Sequence, residues 1–307
     1  MALDPDSPDS PEESVGALLL EAARGLVAAW AAESLDEARL ETDLLYGEAA
    51  GLSRAQVIAA GRDAPPPEAR ARFEALLRRR MAREPLAYIL GRREFHGLTF
   101  EVGPGVLIPR PETETLVETA LAAIREHPSA RRIVRVADAG TGSGAVAIAI
   151  ARHAPSAKVF ATDASTEALA WAGRNRARLG PMERVVLLAG DLLEPIGEPL
   201  DVVAANLPYI PTDEYERLPE EIRAGEPRLA VDGGDDGLEL VRRLVDQLPQ
   251  HLADGPVAVL LELGGGQTPF VADWLTTALG GAGADVTVEV HRDLAGNRRV
   301  LEVRRGY

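Results

Sequence analysis

Two stretches of this 307-residue sequence carry residues that could do chemistry. The first is Asp138-Ala139-Gly140-Thr141-Gly142-Ser143-Gly144, which follows the apolar run Val134 to Ala137. Glycines at a strand-to-helix turn let the backbone pass close to a ligand, and the following helix offers it free N–H groups. Asp163 ends the next apolar run, 19 residues past Gly144. A carboxylate there can accept hydrogen bonds from both ribose hydroxyls of a nucleoside. The second stretch is Asn206-Leu207-Pro208-Tyr209. Asn206 offers a side-chain carbonyl and the Leu207 peptide a second one beside it, and two such acceptors can hold both hydrogens of a planar –NH2 group. Tyr209 supplies a flat surface for stacking, and Pro208 stiffens the turn. Each stretch also has a plain reading: a glycine turn that binds nothing, and an Asn-Pro-type turn closing a strand.

These residues need a framework that gathers them at one edge. Strands are expected at Val134 to Ala137, Lys158 to Thr162, Val185 to Ala189, Leu200 to Ala204, Val257 to Leu261, Asp285 to Val290 and Val300 to Val303. Helical patterning at Ala145 to Arg152, Thr166 to Leu179 and Gly237 to Leu252 separates several of them. Such alternation predicts an α/β fold, a doubly wound and mostly parallel sheet with helices on both faces, its last strands pairing antiparallel at an edge. Ligands of such sheets bind at the carboxyl ends of the strands, where both stretches fall. Before Arg93 the pattern is helical, over Val15 to Ala32, Leu35 to Ala50, a short helix capped by Ser53, and Glu68 to Arg83 with an Arg-heavy outer face. The chain thus divides into a disordered acidic tail (1–14), a small all-helical domain (15–92), a hinge hairpin (93–108) and the larger α/β domain (109–307).

Composition removes several function classes. Hydrophobic residues at 46% and charged residues at 26% are those of a soluble globular chain, not of a mainly disordered or collagen-like one. The 33 basic and 48 acidic residues leave a net charge of −15, a poor match to a phosphate backbone, so no stable nucleic-acid binding is expected. Without cysteine there are no disulfides, thiolate metal sites or cysteine nucleophiles, and the five histidines lack metal-ligand spacing, so no metal is expected. The acidic start has neither the positive charge nor the apolar core of a secretory signal, and Glu21 and Arg24 interrupt the Val15 to Ala32 run. No membrane span and a cytoplasmic location are expected.

The glycines fall at every second position behind an acid, D-x-G-x-G-x-G, unlike the G-x-G-x-x-G of a dinucleotide-binding fingerprint. That pattern resembles S-adenosylmethionine-dependent methyltransferases. The resemblance implies that Asp138 and Gly140 to Gly144, with Thr141 and Ser143, line the methionine and ribose of the cofactor, that Asp163 holds the ribose, and that Asp191 and Leu192 lie by the adenine. Asn206 to Tyr209 resembles the (N/D/S)-P-P-Y motif of methyltransferases acting on adenine N6, cytosine N4 and glutamine N5, with Leu207 in place of the first proline. The same tetrapeptide also occurs in ribosomal RNA adenine dimethyltransferases. Because the residue at 207 would act through its backbone carbonyl, leucine loses rigidity but not an acceptor.

Further segments choose among these families. Arg83 to Gly91 (REPLAYILG), Glu94-Phe95, Leu107 to Glu114 (LIPRPETE), Glu226 to Gly234 (EPRLAVDGG) and Asp236-Gly237-Leu238 resemble the release factor glutamine methyltransferases. This implies a Rossmann-like methyltransferase domain and a substrate-docking helical domain. It also implies transfer of methyl from S-adenosylmethionine to the Gly-Gly-Gln glutamine of class 1 peptide chain release factors, by a monomer. Asn206, Leu207, Pro208 and Tyr209 would carry catalysis, with Asn206 also touching the cofactor, and Arg110 and Glu112 would join them in binding substrate. Plainer readings remain, Pro111, Glu112 and Glu114 being a good helix start and Asp232 to Gly237 a solvated turn. The alternatives are an N6-adenine methyltransferase acting on RNA or DNA, and a cofactor-binding module that only docks. Gly265-Gly266-Gln267 spells the implied substrate motif within this chain, but it follows a strand where a glycine turn is expected.

Overall fold

The computed structural model describes residues 14–128, 133–181, 183–280 and 285–307, so all of the expected tail except Ser14 lies outside the described residues. Two units result, one holding the described residues up to Gly91 together with Glu220–Gly225, the other Arg92–Pro219 with Glu226–Tyr307.

The first unit contains α1 (Val15–Ala28), α2 (Leu35–Ala50), α3 (Arg54–Ala59), α4 (Pro67–Met81) and α5 (Leu86–Leu90). Serines 14, 34 and 53 cap α1, α2 and α3 by accepting backbone N–H groups, and Ser53 with Gln56 completes a capping box. Leu19, Leu45, Tyr46, Val57, Phe73 and Ile89 build the core. Two expectations are corrected here. Helix α1 stops at Ala28, not Ala32, because Trp30 takes a left-handed φ of 56° and turns Ala31 and Ala32 into a cluster with Leu26 and Ala38. The arginines of α4 do not all face outward either. Arg80 is buried, and it bonds both carboxylate oxygens of Glu41 (2.9 and 3.0 Å), the Ala31 carbonyl, and Glu221 at 3.1 Å. Glu221 arrives from far along the chain, which is how residues 220–225 come to belong to this unit.

The second unit opens with the hairpin β1 (Arg92–Phe95) and β2 (Leu98–Glu101). Expected as a hinge, it packs Phe95 and Phe100 edge to face in the core of this unit. A 3₁₀ turn at Pro111–Thr113 leads into α6 (Glu114–Glu126). There follow β3 (Val134–Ala139), α7 (Ala145–His153), β4 (Ala157–Asp163), α8 (Thr166–Leu179), β5 (Val185–Ala189) and β6 (Val202–Ala205). The irregular stretch expected next holds α9 (Thr212–Tyr215) and α10 (Glu220–Gly225), before α11 (Glu239–His251) and β7 (Val257–Glu262). Helix α12 (Thr268–Ala278), which the sequence reading did not mark, precedes β8 (Val286–Arg292) and β9 (Arg298–Arg305).

The seven strands run in the order β5-β4-β3-β6-β7-β9-β8. Strands β3 to β7 pair parallel, while β9 is antiparallel to both of its neighbours. The last two strands thus pair antiparallel at an edge, as expected, with β9 inserted between β7 and the edge strand β8. Val300 to Val303 are buried, whereas Thr287 to Glu289 of β8 are exposed, so the more apolar strand takes the inner place. One core lies under α6 and α7, and the other under α11 and α12.

Register decides what the fold can do. Ala139 pairs with Thr162 on one side and with Ala205 on the other, and Ala205 pairs with Leu261. The residues that follow these are Gly140, Asp163, Asn206 and Glu262, so the four end one row along the carboxyl edge. The order reverses between β3 and β6, the switch point where such sheets bind ligands.

Candidate active site

A cavity of about 450 Å³ opens at that edge. Asp138, Gly140, Thr141, Gly142 and Ser143 line it, as do Asp163, Asp191, Leu192, Asn206, Leu207, Pro208 and Arg110. Gly144 caps α7 and is not on the wall. Glu112 and Tyr209 do not line this cavity either, and Tyr209 is held by other parts of the chain. The chain is pinned after Pro208. Gln267 donates its amide N–H to the Tyr209 carbonyl at 2.9 Å, and Gly237 crosses so close that a Cβ there would lie 2.2 Å from the same oxygen. The Tyr209 hydroxyl consequently meets Arg299 at 3.4 Å. Burial beside Glu262 pushes the phenol up to about 12, so it stays protonated. Gln267 is the glutamine of the internal Gly-Gly-Gln, and its amide is committed to this turn, with Oε1 accepting from Gly264 N–H at 3.0 Å.

The glycine loop is held from below. Asp138 is 2% exposed and accepts from the Thr141 hydroxyl (2.6 Å) and the Ala147 N–H (3.0 Å). Burial pushes its carboxyl up to about 6 against these two bonds. Asp163 accepts from Gly142 N–H and Ser165 N–H, both at 2.8 Å, and burial raises it too. With Ala164 N–H acting on it as well, the carboxylate keeps a remaining acceptor site for a ligand hydroxyl. Gly140 has φ +75°, and a Cβ on it would stand 2.9 Å from the Leu207 side chain. Leu207 therefore does more than offer a carbonyl, because its buried side chain packs against the loop.

The remaining wall residues are tied to partners that sequence reasoning did not assign. Arg110 donates through one nitrogen to Glu226, whose other oxygen accepts the Ile108 N–H at 3.1 Å. Asp191 pairs with Arg243 at 2.6 Å and accepts from Gln247 at 3.2 Å, both on α11. Asn175, fully buried on α8, joins β2 to the loop: it takes the Glu101 N–H (2.7 Å) and donates to the Glu101 and Ser143 carbonyls (2.9 and 3.0 Å). Asn206 donates through Nδ2 to the Thr113 hydroxyl at 2.9 Å, and Oδ1 accepts nothing from the described residues. Behind Thr113 lies Glu262, 2% exposed, its Oε2 without a hydrogen-bond partner among the described residues. Burial pushes Glu262 up to about 7, while the Thr113 hydroxyl, Arg299 and the Tyr209 hydroxyl pull it down and Glu112 opposes them. Glu262 had a signal in the sequence, an acid ending an apolar strand as Asp163 does. Asn175, between two arginines of a helix, had none.

The cavity is of ordinary cofactor size, with backbone N–H groups and a partly buried carboxylate on one side and Val106, Leu192 and Leu240 supplying apolar wall. These residues fit a nucleoside with a compact charged tail. Among the described residues, no helix is long and apolar enough to cross a membrane.

Residues 17–91 match the family model described as the PrmC N-terminal domain, and residues 136–225 match that of a methyltransferase domain. The release factor glutamine methyltransferase of Geobacter sulfurreducens is 43% identical over 242 residues, 78% of this chain and 82% of that protein. Its counterpart in Bradyrhizobium diazoefficiens is 39% identical over 285 residues, 92% of this chain and 94% of that one. A solved protein-(glutamine-N5) methyltransferase (release factor-specific) from Alicyclobacillus acidocaldarius is 32% identical, covering 68% of this chain and 100% of that one, with a TM-score of 0.42. The strand order, the loop behind Asp138 and these relatives agree: the chain belongs to the release factor glutamine methyltransferase family, on the class I fold of S-adenosylmethionine-dependent methyltransferases.

Proposed function

We propose that this protein transfers a methyl group from S-adenosylmethionine to the side-chain amide nitrogen, N5, of the glutamine in the Gly-Gly-Gln motif of class 1 peptide chain release factors. The observation that carries the reading is Asn206. It sits on the cavity wall one strand from the glycine loop, its Nδ2 held by Thr113 and its Oδ1 open to a ligand. The cofactor, when bound, supplies a sulfonium-borne methyl that reacts with weak nucleophiles without a metal.

An amide nitrogen is such a nucleophile, because its lone pair is delocalised into the carbonyl. Asn206 Oδ1 and the Leu207 carbonyl accept hydrogen bonds from its two N–H groups, which fixes the plane of the amide and directs the lone pair out of that plane towards the loop side of the cavity; once the nitrogen carries the methyl, one of these two protons leaves to solvent. Orientation of this kind contributes roughly 7–11 kcal/mol in favourable cases. Pro208 limits the freedom of the turn, and Tyr209 supports it through its pinned carbonyl. Asp163 holds the ribose, Asp138 keeps the loop in shape from beneath, and Asp191 with Leu192 borders the adenine. Arg110, neutralised by Glu226, shapes the mouth of the cavity rather than binding a free anion. The helical unit docks the release factor.

Adenine methylation would use the same two acceptors. The family of the relatives and the 48 acidic against 33 basic residues favour the protein substrate. Single-turnover transfer to a purified class 1 release factor tests the reading. For Asn206→Ala the rate constant is expected to fall about 10²–10³-fold, by analogy with removal of one oxyanion-hole donor, with cofactor affinity changed little. An unchanged rate constant would remove Asn206 from the reaction.

A further inference from the structure

An asparagine amide has two ends of nearly the same shape, an acceptor and a donor, and only the acceptor end can hold a substrate N–H. Something must choose between them. Thr113 lies against Asn206, at the end of the 3₁₀ turn that leads into α6, and is 5% exposed. Its hydroxyl carries one proton and can accept as well as donate. Behind it the buried Glu262 carboxylate, when ionised, can only accept. The Thr113 proton is drawn to that carboxylate, which leaves the Oγ1 lone pair for Asn206 Nδ2 at 2.9 Å.

We propose that Thr113 and Glu262 form a positioning relay that selects the amide orientation of Asn206, presenting Oδ1 rather than Nδ2 to the substrate amino group. The inference rests on the reading of Asn206 as an acceptor for the substrate amide. It also gives the buried carboxylate, whose Oε2 has no hydrogen-bond partner among the described residues, a reason to be there, since burying an acid is otherwise a burden on stability. The groups facing Glu262 are Thr113 and Glu112 from the 3₁₀ turn, Tyr209 after β6 and Arg299 from β9, the last also paired with Asp293. A protonated Glu262 becomes a donor and turns the relay around, freeing the Thr113 proton to point at Asn206 Oδ1. With burial pushing Glu262 up to about 7, acidification from neutral pH should slow transfer.

The test is single-turnover methyl transfer to a class 1 release factor, with cofactor affinity measured by calorimetry on the same samples. Thr113→Val is expected to lower the rate constant about ten- to a hundred-fold and to leave cofactor affinity within about two-fold. Thr113→Ser should restore most of the rate, and Thr113→Val should add nothing in an Asn206→Ala background. The wild-type rate constant should fall below neutral pH, and Glu262→Gln should lose that acid limb. If Asn206→Ala is slow while Thr113→Val keeps the wild-type rate, the relay is wrong and the acceptor reading stands. Additive losses in the double variant, failure of Thr113→Ser with cofactor affinity intact, or an acid limb that survives Glu262→Gln would each overturn the relay. A fully active Asn206→Ala would remove the acceptor reading and the relay with it.

Discussion

Leu207 shows how one residue can serve two partners. Its peptide carbonyl is the second acceptor in the proposed reaction, while its side chain is buried and comes within 2.9 Å of where a Cβ on Gly140 would stand. Replacing the usual proline thus loosens the turn and at the same time ties it to the glycine loop by packing. Gly140 is constrained twice, by a left-handed φ of +75° and by the 2.9 Å approach of Leu207. The left-handed conformation alone costs an alanine about 1–2 kcal/mol, and relief of the clash would shift either the loop or the tetrapeptide. Gly140→Ala is therefore expected to weaken cofactor binding by more than about ten-fold, each 1.4 kcal/mol being ten-fold. Calorimetry of the variant checks this, and wild-type affinity would contradict the packing argument.

Between elements, Asn175 is the residue on which the site's frame depends most. It joins α8, the hairpin and the loop through three hydrogen bonds, all of them to backbone groups. Asn175→Ala leaves the Glu101 and Ser143 groups short of partners, and each buried unsatisfied group costs about 1–3 kcal/mol. The variant should lower the stability of the α/β unit by about 2–4 kcal/mol in urea denaturation and weaken cofactor binding with it. A loss of stability with unchanged cofactor affinity would detach the hairpin from the loop. This element-level wiring was the part hardest to read from sequence. Strands β3 to β7 were readable because each is an apolar run, and the glycine loop, Asp163 and Asn206 because they follow such runs directly. The insertion of β9, the burial of Arg80 and the membership of Glu220–Gly225 in the helical unit depend on partners distant in the chain, which local periodicity does not encode. The partners of Tyr209 were hidden for the same reason, since Gln267 and Gly237 meet its carbonyl from 58 and 28 residues away.

At the scale of the whole molecule, its charge of −15 and its buried acids make stability depend on pH in a definite sense. Asp138, pushed up to about 6, and Glu262, pushed up to about 7, bind a proton more tightly folded than unfolded. Folding therefore gains as pH falls through those values towards the ordinary carboxylate range, because the folded state holds more protons there. His291 acts in the same direction, since Glu302 raises it and its contribution is lost as pH rises through the raised value. Asp232, Asp236, Asp293 and Glu302 are held below their ordinary range chiefly by hydrogen bonds and ion pairs that outweigh desolvation, and their contribution is lost only at more acid pH. The melting temperature should accordingly be higher near pH about 5.5 than near about 7.5 and fall again below about 4, with Glu262→Gln flattening the upper slope. A melting temperature that rises from pH about 5.5 to about 7.5 would contradict this assignment.

All these scales meet in the proposed reaction, methyl transfer to a glutamine amide held by Asn206 Oδ1 and the Leu207 carbonyl. Its most direct test is to incubate the protein with labelled S-adenosylmethionine and a purified class 1 release factor, then map the labelled peptide by mass spectrometry. One added methyl is expected, on the glutamine of the Gly-Gly-Gln motif, with its near disappearance in Asn206→Ala. Label on RNA, or on another residue of the factor, or no transfer by a protein that binds the cofactor, would contradict the proposed reaction.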